Sequence, residues 1–218
     1  MISKRIQEIA KYVEGYASLA DIACDHGYLG IYVATKYHLD EILLTDINEL
    51  PLKSAINNAS KLNISNIYFK LGDGLAPLDH DYDVICIAGL GGHLLVDILK
   101  DGLNRAKAAK RLILSPNCDT YVVREFLAKN GFNITFEEMI FDKKYYQIII
   151  ANYTGLNICY TTEELTFGPI LLKTKSDIFI KYYEDLLKRL ENEYKKIRTE
   201  NNKENLLNKI ETIKKILK

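Results

Sequence analysis

LADIACDHGYLG, Leu19 to Gly30, is the stretch whose reading decides the fold. The apolar run into Asp21 reads as a strand, Ile22 to Gly27 as a tight loop, and the residues from Tyr28 onward as a helix. Strand, loop and helix in that order open a nucleotide-binding α/β unit, yet this loop is wrong for phosphate. A pyrophosphate loop offers glycines, so that backbone N–H groups and a helix N-terminus can face the anion. Here Ala23 and Asp25 occupy two of the positions a glycine-rich loop would fill, and Gly27 alone remains. Carboxylates repel a pyrophosphate, which disfavours a dinucleotide. S-adenosylmethionine, with a cationic sulfonium and ammonium and no phosphate, suits Asp21 and Asp25 on Coulomb grounds. Asp25 has an alternative role as the cap of the following helix.

Working outward, Ile2, Ile6, Ile9, Ala10 and Val13 recur at helical spacing, predicting an opening helix that ends near Gly15. Strand-like runs then alternate with helical stretches: 18–23 before a helix from Tyr28, 41–47 before a helix over 50–62, then 66–71, 82–90 before 93–100, and 111–117 before 121–129. Parallel strands need crossover helices and bury both faces, so this rhythm predicts a doubly wound, mostly parallel sheet. FNITFEEMIF (132–141), the polar turn Asp142-Lys143-Lys144 and YYQIIIANY (145–153) read as a closing β-hairpin. Seven strands ending in an antiparallel pair are the architecture of Rossmann-like methyltransferases rather than of dinucleotide dehydrogenases, by analogy of fold.

Ligands of open α/β sheets gather at the carboxyl ends of the strands. Asp46 ends the second strand, 25 residues after Asp21, where an acid can accept hydrogen bonds from both ribose hydroxyls. Asp73, between Gly72 and Gly74, could reach an adenine amino group or simply make a turn. Ala88-Gly89-Leu90-Gly91-Gly92-His93 lets backbone come close to a ligand at the fourth strand, and Ser115-Pro116-Asn117 offers a side-chain amide at the fifth. His26, His93 and Asn117 are the candidates for catalytic roles; for the two histidines the alternative is to position their neighbours.

The formal charge is zero, but residues 1–170 carry 16 Lys and Arg against 21 Asp and Glu, and residues 171–218 carry 13 against 8, a split of −5 and +5. The basic part has two helical apolar stripes, Phe179, Tyr183, Leu186, Leu190, Tyr194 and Ile197, then, after the polar TENNKEN, Leu206, Ile210, Ile213 and Leu217. They predict an antiparallel helical hairpin, or coiled coil. The expected division is thus a catalytic domain over 1–160 and a helical domain over 161–218. Composition is that of an ordinary globular protein, 48% hydrophobic and 27% charged. Cys24, Cys86, Cys118 and Cys159 stand far apart with no ligand spacing, favouring reduced core cysteines over disulfides or a metal site. No stretch reaches the roughly 18 apolar residues of a membrane span, and the expectation is a cytoplasmic monomer.

The segments resemble those of the bacterial TrmK family, tRNA (adenine-22-N1)-methyltransferases. Asp21-Ile22-Ala23-Cys24-Asp25-His26-Gly27-Tyr28-Leu29 is similar to its D-I-G-S-D-H-A-Y-L, Gly72-Asp73-Gly74-Leu75 to its G-D-G-L, Ile87 to Gly92 to its I-A-G-M-G-G, and Leu112 to Asn117 to its L-I-L-Q-P-N. Phe167-Gly168-Pro169 resembles a further marker. Ala23 and Gly27 exchange small residues with the pattern, Asp46 stands where some relatives have Glu, and Ser115 replaces the Gln. The resemblance implies methyl transfer from S-adenosylmethionine to N1 of an adenine in the D-arm region of tRNA, with no metal. Expected cofactor contacts are Asp21, Ala23, Asp25, His26, Gly27, Tyr28, Asp46, Ile47, Gly72, Asp73, Gly74, Ala88, Gly89, Gly91 and Gly92. The basic tail becomes a phosphate-contacting arm, with Lys173, Lys175, Lys181, Lys188, Arg189, Lys195, Lys196 and Arg198 as candidates, or else a solvated coiled-coil face. A methyltransferase of another substrate and a non-catalytic RNA-binding adaptor are the rival readings.

Overall fold

The computed structural model describes residues 2–62, 64–196 and 200–218, with residues 200–202 described by backbone alone. The chain divides into two compact units, 1–170 and 171–218.

In the first unit the elements run α1 (Lys4–Lys11), β1 (Ser18–Ile22), α2 (Tyr28–Lys36), β2 (Glu41–Asp46), α3 (Glu49–Ser60), β3 (Ile67–Leu71), β4 (Val84–Ala88), α4 (Gly92–Asp101), α5 (Leu103–Ala108), β5 (Arg111–Ser115), α6 (Thr120–Lys129), β6 (Phe132–Asp142), β7 (Lys144–Tyr153) and α7 (Thr162–Phe167). The strands form one seven-stranded sheet in the order β3-β2-β1-β4-β5-β7-β6. Strands β1 to β5 pair in parallel, and β7 runs antiparallel to both β5 and β6.

Both faces of the sheet are covered, which explains why its strands are nearly continuous apolar runs. Leu19, Leu44 and Cys86 pack with Ile9, Leu29 and Ala55 of α1, α2 and α3 on one face. Ala20, Leu43 and Ile85 pack with Leu95, Ala106 and Leu127 of α4, α5 and α6 on the other. The chain runs outward from β1 through β2 to β3 and then crosses back to β4 on the other side of β1, so the topological switch point, where such sheets bind ligands, lies above Asp21. Because β7 runs antiparallel, the β6–β7 turn also returns to this carboxyl edge.

Two short elements escape the sequence pattern. Helix α5 follows Gly102 without a polar break, and α7 starts with a capping box in which Thr161 and Glu164 satisfy each other's backbone N–H groups. Helix α7 belongs to the first unit, ten residues beyond the boundary expected at 160, because a buried ion pair ties its far end to the sheet domain. Arg124 Nε donates to Glu137 Oε1 at 2.7 Å and Nη1 to the Leu165 carbonyl at 3.1 Å, while Glu137 Oε2 accepts the Ile170 N–H at 2.9 Å. Cys24 and Cys86 are buried as expected, but Cys118 and Cys159 are exposed, and all four are free thiols.

The second unit holds α8 (Leu171–Thr174), α9 (Asp177–Tyr194) and α10 (Glu200–Ile216). Phe179, Tyr183, Leu206, Ile210 and Ile213 are buried as the stripes predict, with Ile216 rather than Leu217 completing the second. Ile197 lies outside the described residues. Helix α10 already starts at Glu200, so most of TENNKEN is helix rather than loop; its Glu, Lys and Asn side chains suit a solvated helical face. Glu191 and Lys214 pair at 2.7 Å, joining the last turn of α9 to the last turn of α10. A tight antiparallel hairpin would place Glu191 opposite the first turns of α10 instead, given the ~1.5 Å rise per residue.

Candidate active site

A cavity of about 980 Å³ opens at the switch point. Asp21, Ala23, Asp25, Tyr28, Asp46, Ile47, Gly72, Asp73, Gly74, Ala88 and Gly89 line it, eleven of the fifteen positions expected to meet a cofactor.

The loop after β1 is folded back onto the end of β2. Cys24 N–H donates to the Thr45 carbonyl at 2.9 Å, and Asp25 N–H to Asp46 Oδ2 at 3.1 Å. Asp46 Oδ1 accepts the Asn48 N–H at 2.8 Å, so one carboxylate fixes both loops. Each oxygen keeps a second lone pair for a ligand hydroxyl. The fold-back forces Ala23 (φ 54°) and Asp25 (φ 52°) into the left-handed region, a conformation that costs free energy in non-glycine residues. Helix α2 has Gly27 as its N-cap and no side-chain cap, which removes the capping role considered for Asp25. The exposed Asp25 carboxylate instead lies on the cavity wall.

Asp21 is buried, and its Oδ2 has no hydrogen-bond partner. Burial pushes its pKa up to about 7; a backbone hydrogen bond from Gly30 opposes the rise, and the neighbouring Asp46 charge adds to it. An unsatisfied carboxylate facing a cavity is stabilised by an arriving cation. It is the strongest mark of the ligand's sign in this site.

His26, Gly27, Gly91 and Gly92 do not line the cavity. The His26 ring lies beside α3, with Nδ1 2.9 Å from Ser54 Oγ, and its carbonyl accepts from Asn58 at 3.1 Å. It therefore holds the loop against α3. Gly27 adopts φ 70°, and a Cβ there would come within 2.7 Å of Leu44 and 2.8 Å of Ala55; at Gly92 a Cβ would lie 2.4 Å from the Asp119 carbonyl. These glycines serve helix packing, a close approach that the sequence pattern had suggested for a ligand.

His93 is exposed on the first turn of α4, away from the cavity lining. Asn117 stands just outside it. Its Nδ2 donates to the Gly89 carbonyl and its backbone N–H to the Leu90 carbonyl at 2.7 Å, fixing the turn after β4.

Sequence reasoning missed the opposite wall. Arg5 of α1 reaches under it: Nη2 donates to the Ser115 carbonyl at 2.7 Å and Oγ at 3.2 Å, and Nη1 to Asn117 Oδ1 at 3.4 Å. Its guanidinium lies 4.3 Å from the centroid of the Tyr146 ring, and its backbone N–H donates to Asp142 at 3.1 Å. Asp142, Lys143, Lys144 and Tyr146 line the same cavity. The signal was available: an antiparallel last strand necessarily returns the preceding turn to the ligand edge.

The family model described as TrmK, tRNA (adenine(22)-N(1))-methyltransferase, matches residues 19–217. This chain belongs to the TrmK family. It is 31% identical over 230 residues to the tRNA (adenine(22)-N(1))-methyltransferase of Bacillus subtilis, covering 99% of this chain and 97% of that one. A Streptococcus pneumoniae protein solved in complex with S-adenosyl-L-methionine superposes with a TM-score of 0.91 at 30% identity, over the full length of both chains. Mycoplasma capricolum TrmK, solved with S-adenosyl-homocysteine, gives 0.86 at 26% identity over 100% of this chain and 98% of its own. Among TrmK features expected here, Ser115 in place of Gln now has a defined partner, since its oxygens hold Arg5. No described helix is long and apolar enough to cross a membrane.

Proposed function

We propose that the chain methylates N1 of adenine 22 in tRNA, using S-adenosylmethionine. The observation that carries the cofactor assignment is the buried Asp21 carboxylate with an orphan oxygen at the switch point. The cofactor supplies a methyl group on a sulfonium. Asp21 and Asp25 complement its cationic centres, Asp46 accepts its ribose hydroxyls with the lone pairs left over from Asp25 and Asn48, and Asp73 faces its adenine amino group. Cys24, whose thiol burial raises far above the ordinary range, stays a neutral packing residue and takes no nucleophilic part.

The acceptor nitrogen needs no general base, because neutral adenine N1 already carries an in-plane lone pair. The protein's contribution is alignment and exclusion of water, and close in-line approach supplies most of the rate. N1 lies on the Watson–Crick edge, so a paired adenine must leave its stack to reach the cavity. Methylation moves a positive charge from sulfur onto the base, and Asn117, through its bond to the Gly89 carbonyl, holds in place the turn after β4 that lines the cavity. Asn117 is thus a positioning residue, as is His26 through Ser54 and Asn58. Lys173, Lys181, Lys188, Arg189, Lys195 and Lys196 are exposed, Lys175 is half-buried, and Arg198 lies outside the described residues. The exposed six suit contacts to tRNA phosphates, supported by the +5 charge of residues 171–218.

The test is incubation of unmodified tRNA with labelled S-adenosylmethionine, mapping product by primer extension. A reverse-transcription stop at adenine 22 is expected; incorporation at N6, which leaves the Watson–Crick edge readable, or tight tRNA binding with no incorporation, would sink the proposal.

A further inference from the structure

The charges of the cavity are segregated. Its walls after β1, β2 and β3 supply Asp21, Asp25, Asp46 and Asp73, whereas its basic residues, Arg5, Lys143 and Lys144, all come from α1 and the β6–β7 turn, where they outnumber the single acid, Asp142. Resting on the function proposed above, we infer that this turn is the seat of the substrate strand: Lys143 and Lys144 hold the phosphates flanking the adenosine presented to the cofactor.

Arg5 is not available for that task. Its guanidinium is committed to Ser115 and Asn117, stacks on Tyr146, and is partly stripped of water, which lowers its pKa. Its role is to stiffen the wall. Lys143 and Lys144 are different: both are exposed, and neither forms an ion pair with a described residue. The adjacent carboxylate, Asp142, accepts the Arg5 backbone N–H. The Lys144 ammonium lies 5.2 Å from the Tyr146 ring centroid, and Tyr146 is itself backed by Arg5, so the turn rests on a stacked support. Lys143 occupies the left-handed region at φ 61°, where glycine or asparagine would sit with less strain.

The ligand facing these ammonium groups is an anion, and the reaction restricts which one. The base becomes cationic on methylation, so lysines aimed at it would oppose the transfer. The phosphates on either side of a flipped nucleotide carry the matching charge, and this turn stands at the same cavity edge.

The test is the double variant Lys143→Gly with Lys144→Gln. Glycine relaxes the left-handed residue, which favours retention of the fold, while both charges are lost. Equilibrium tRNA binding is titrated with salt, S-adenosylmethionine affinity is measured by calorimetry, and KM for tRNA follows from methyl transfer. The expected result is cofactor affinity within about twofold of wild type, tRNA affinity reduced about tenfold near 0.1 M salt, and a salt slope shallower by about 1.4 to 1.8 for two lost phosphate contacts. Unchanged tRNA affinity and slope overturn the seat. Weakened cofactor binding with unchanged tRNA binding also overturns it and moves the lysines to the cofactor's carboxylate. Failure of the wild type to methylate N1 refutes the proposed function instead, and the binding titration still decides the seat.

Discussion

Asp21→Asn separates the stability of this protein from its chemistry. The carboxyl is buried, and its pKa rises from 3.8 to about 7 in the ligand-free fold. A carboxylic acid whose pKa is raised by folding stabilises the native state most when protonated in both states. That contribution is lost as pH climbs from the unfolded value to the folded one. A tenfold difference in proton affinity between the two states corresponds to about 1.4 kcal/mol, so, relative to low pH, the readier ionisation of the unfolded chain costs the fold roughly 2 kcal/mol of stability at pH 5 and roughly 4 kcal/mol at pH 8. Asparagine has nearly the same shape and no charge to desolvate. Urea unfolding of ligand-free protein should therefore show Asp21→Asn gaining roughly 2 to 3 kcal/mol on the wild type between pH 5 and pH 8. The same substitution should weaken S-adenosylmethionine binding at least tenfold at pH 8, and wild-type affinity should rise through pH 7 as the cofactor's cations recruit the ionised form. A pH-independent difference in stability, or undiminished cofactor affinity in the variant, would refute the assignment of Asp21 as a carboxylate held ready for a cation.

Other parts of the molecule can be tested as directly. Asp46→Ala removes the acceptor of the Asp25 and Asn48 N–H groups along with the ribose contact; calorimetry should show cofactor binding weaker by about 1.5–3 kcal/mol, the range for hydrogen bonds to a charged group, with tRNA affinity nearly unchanged. Reversing Lys188, Arg189, Lys195 and Lys196 to glutamate should do the opposite, lowering tRNA affinity and its salt slope while sparing the cofactor. Glu137→Gln strips the charge partner from Arg124 inside the fold, where both side chains are fully buried. Breaking such a pair costs about 3–5 kcal/mol, read as a lowered urea midpoint, and a midpoint matching wild type would show that the Gln amide satisfies Arg124 unaided.

The rhythm of strands and helices was legible because both faces of the parallel sheet are buried, which makes β1, β2, β4 and β5 unbroken apolar runs that periodicity finds. The acidic half of the site was legible for a related reason: Asp21, Asp46 and Asp73 stand in or just after strands, where chain order alone fixes their edge. The glycines and histidines were not, since a glycine that admits a ligand and one that admits a neighbouring helix look alike in sequence. Gly92 meets the Asp119 carbonyl and His26 meets Ser54, contacts between segments 27 and 28 residues apart. The basic wall was hidden most deeply. Arg5 sits 110 residues from Ser115 and 137 from Asp142, and no local pattern couples them. Yet its placement follows from topology once the sheet order is known. An antiparallel β7 returns residues 142–144 to the ligand edge, and α1, packed on the same face as β6, brings Arg5 beneath them. The acidic wall is thus written into strand ends, whereas the basic wall depends on closure of the sheet. A variant that slips the β6–β7 register should therefore lose the basic wall while its cofactor loops stay intact.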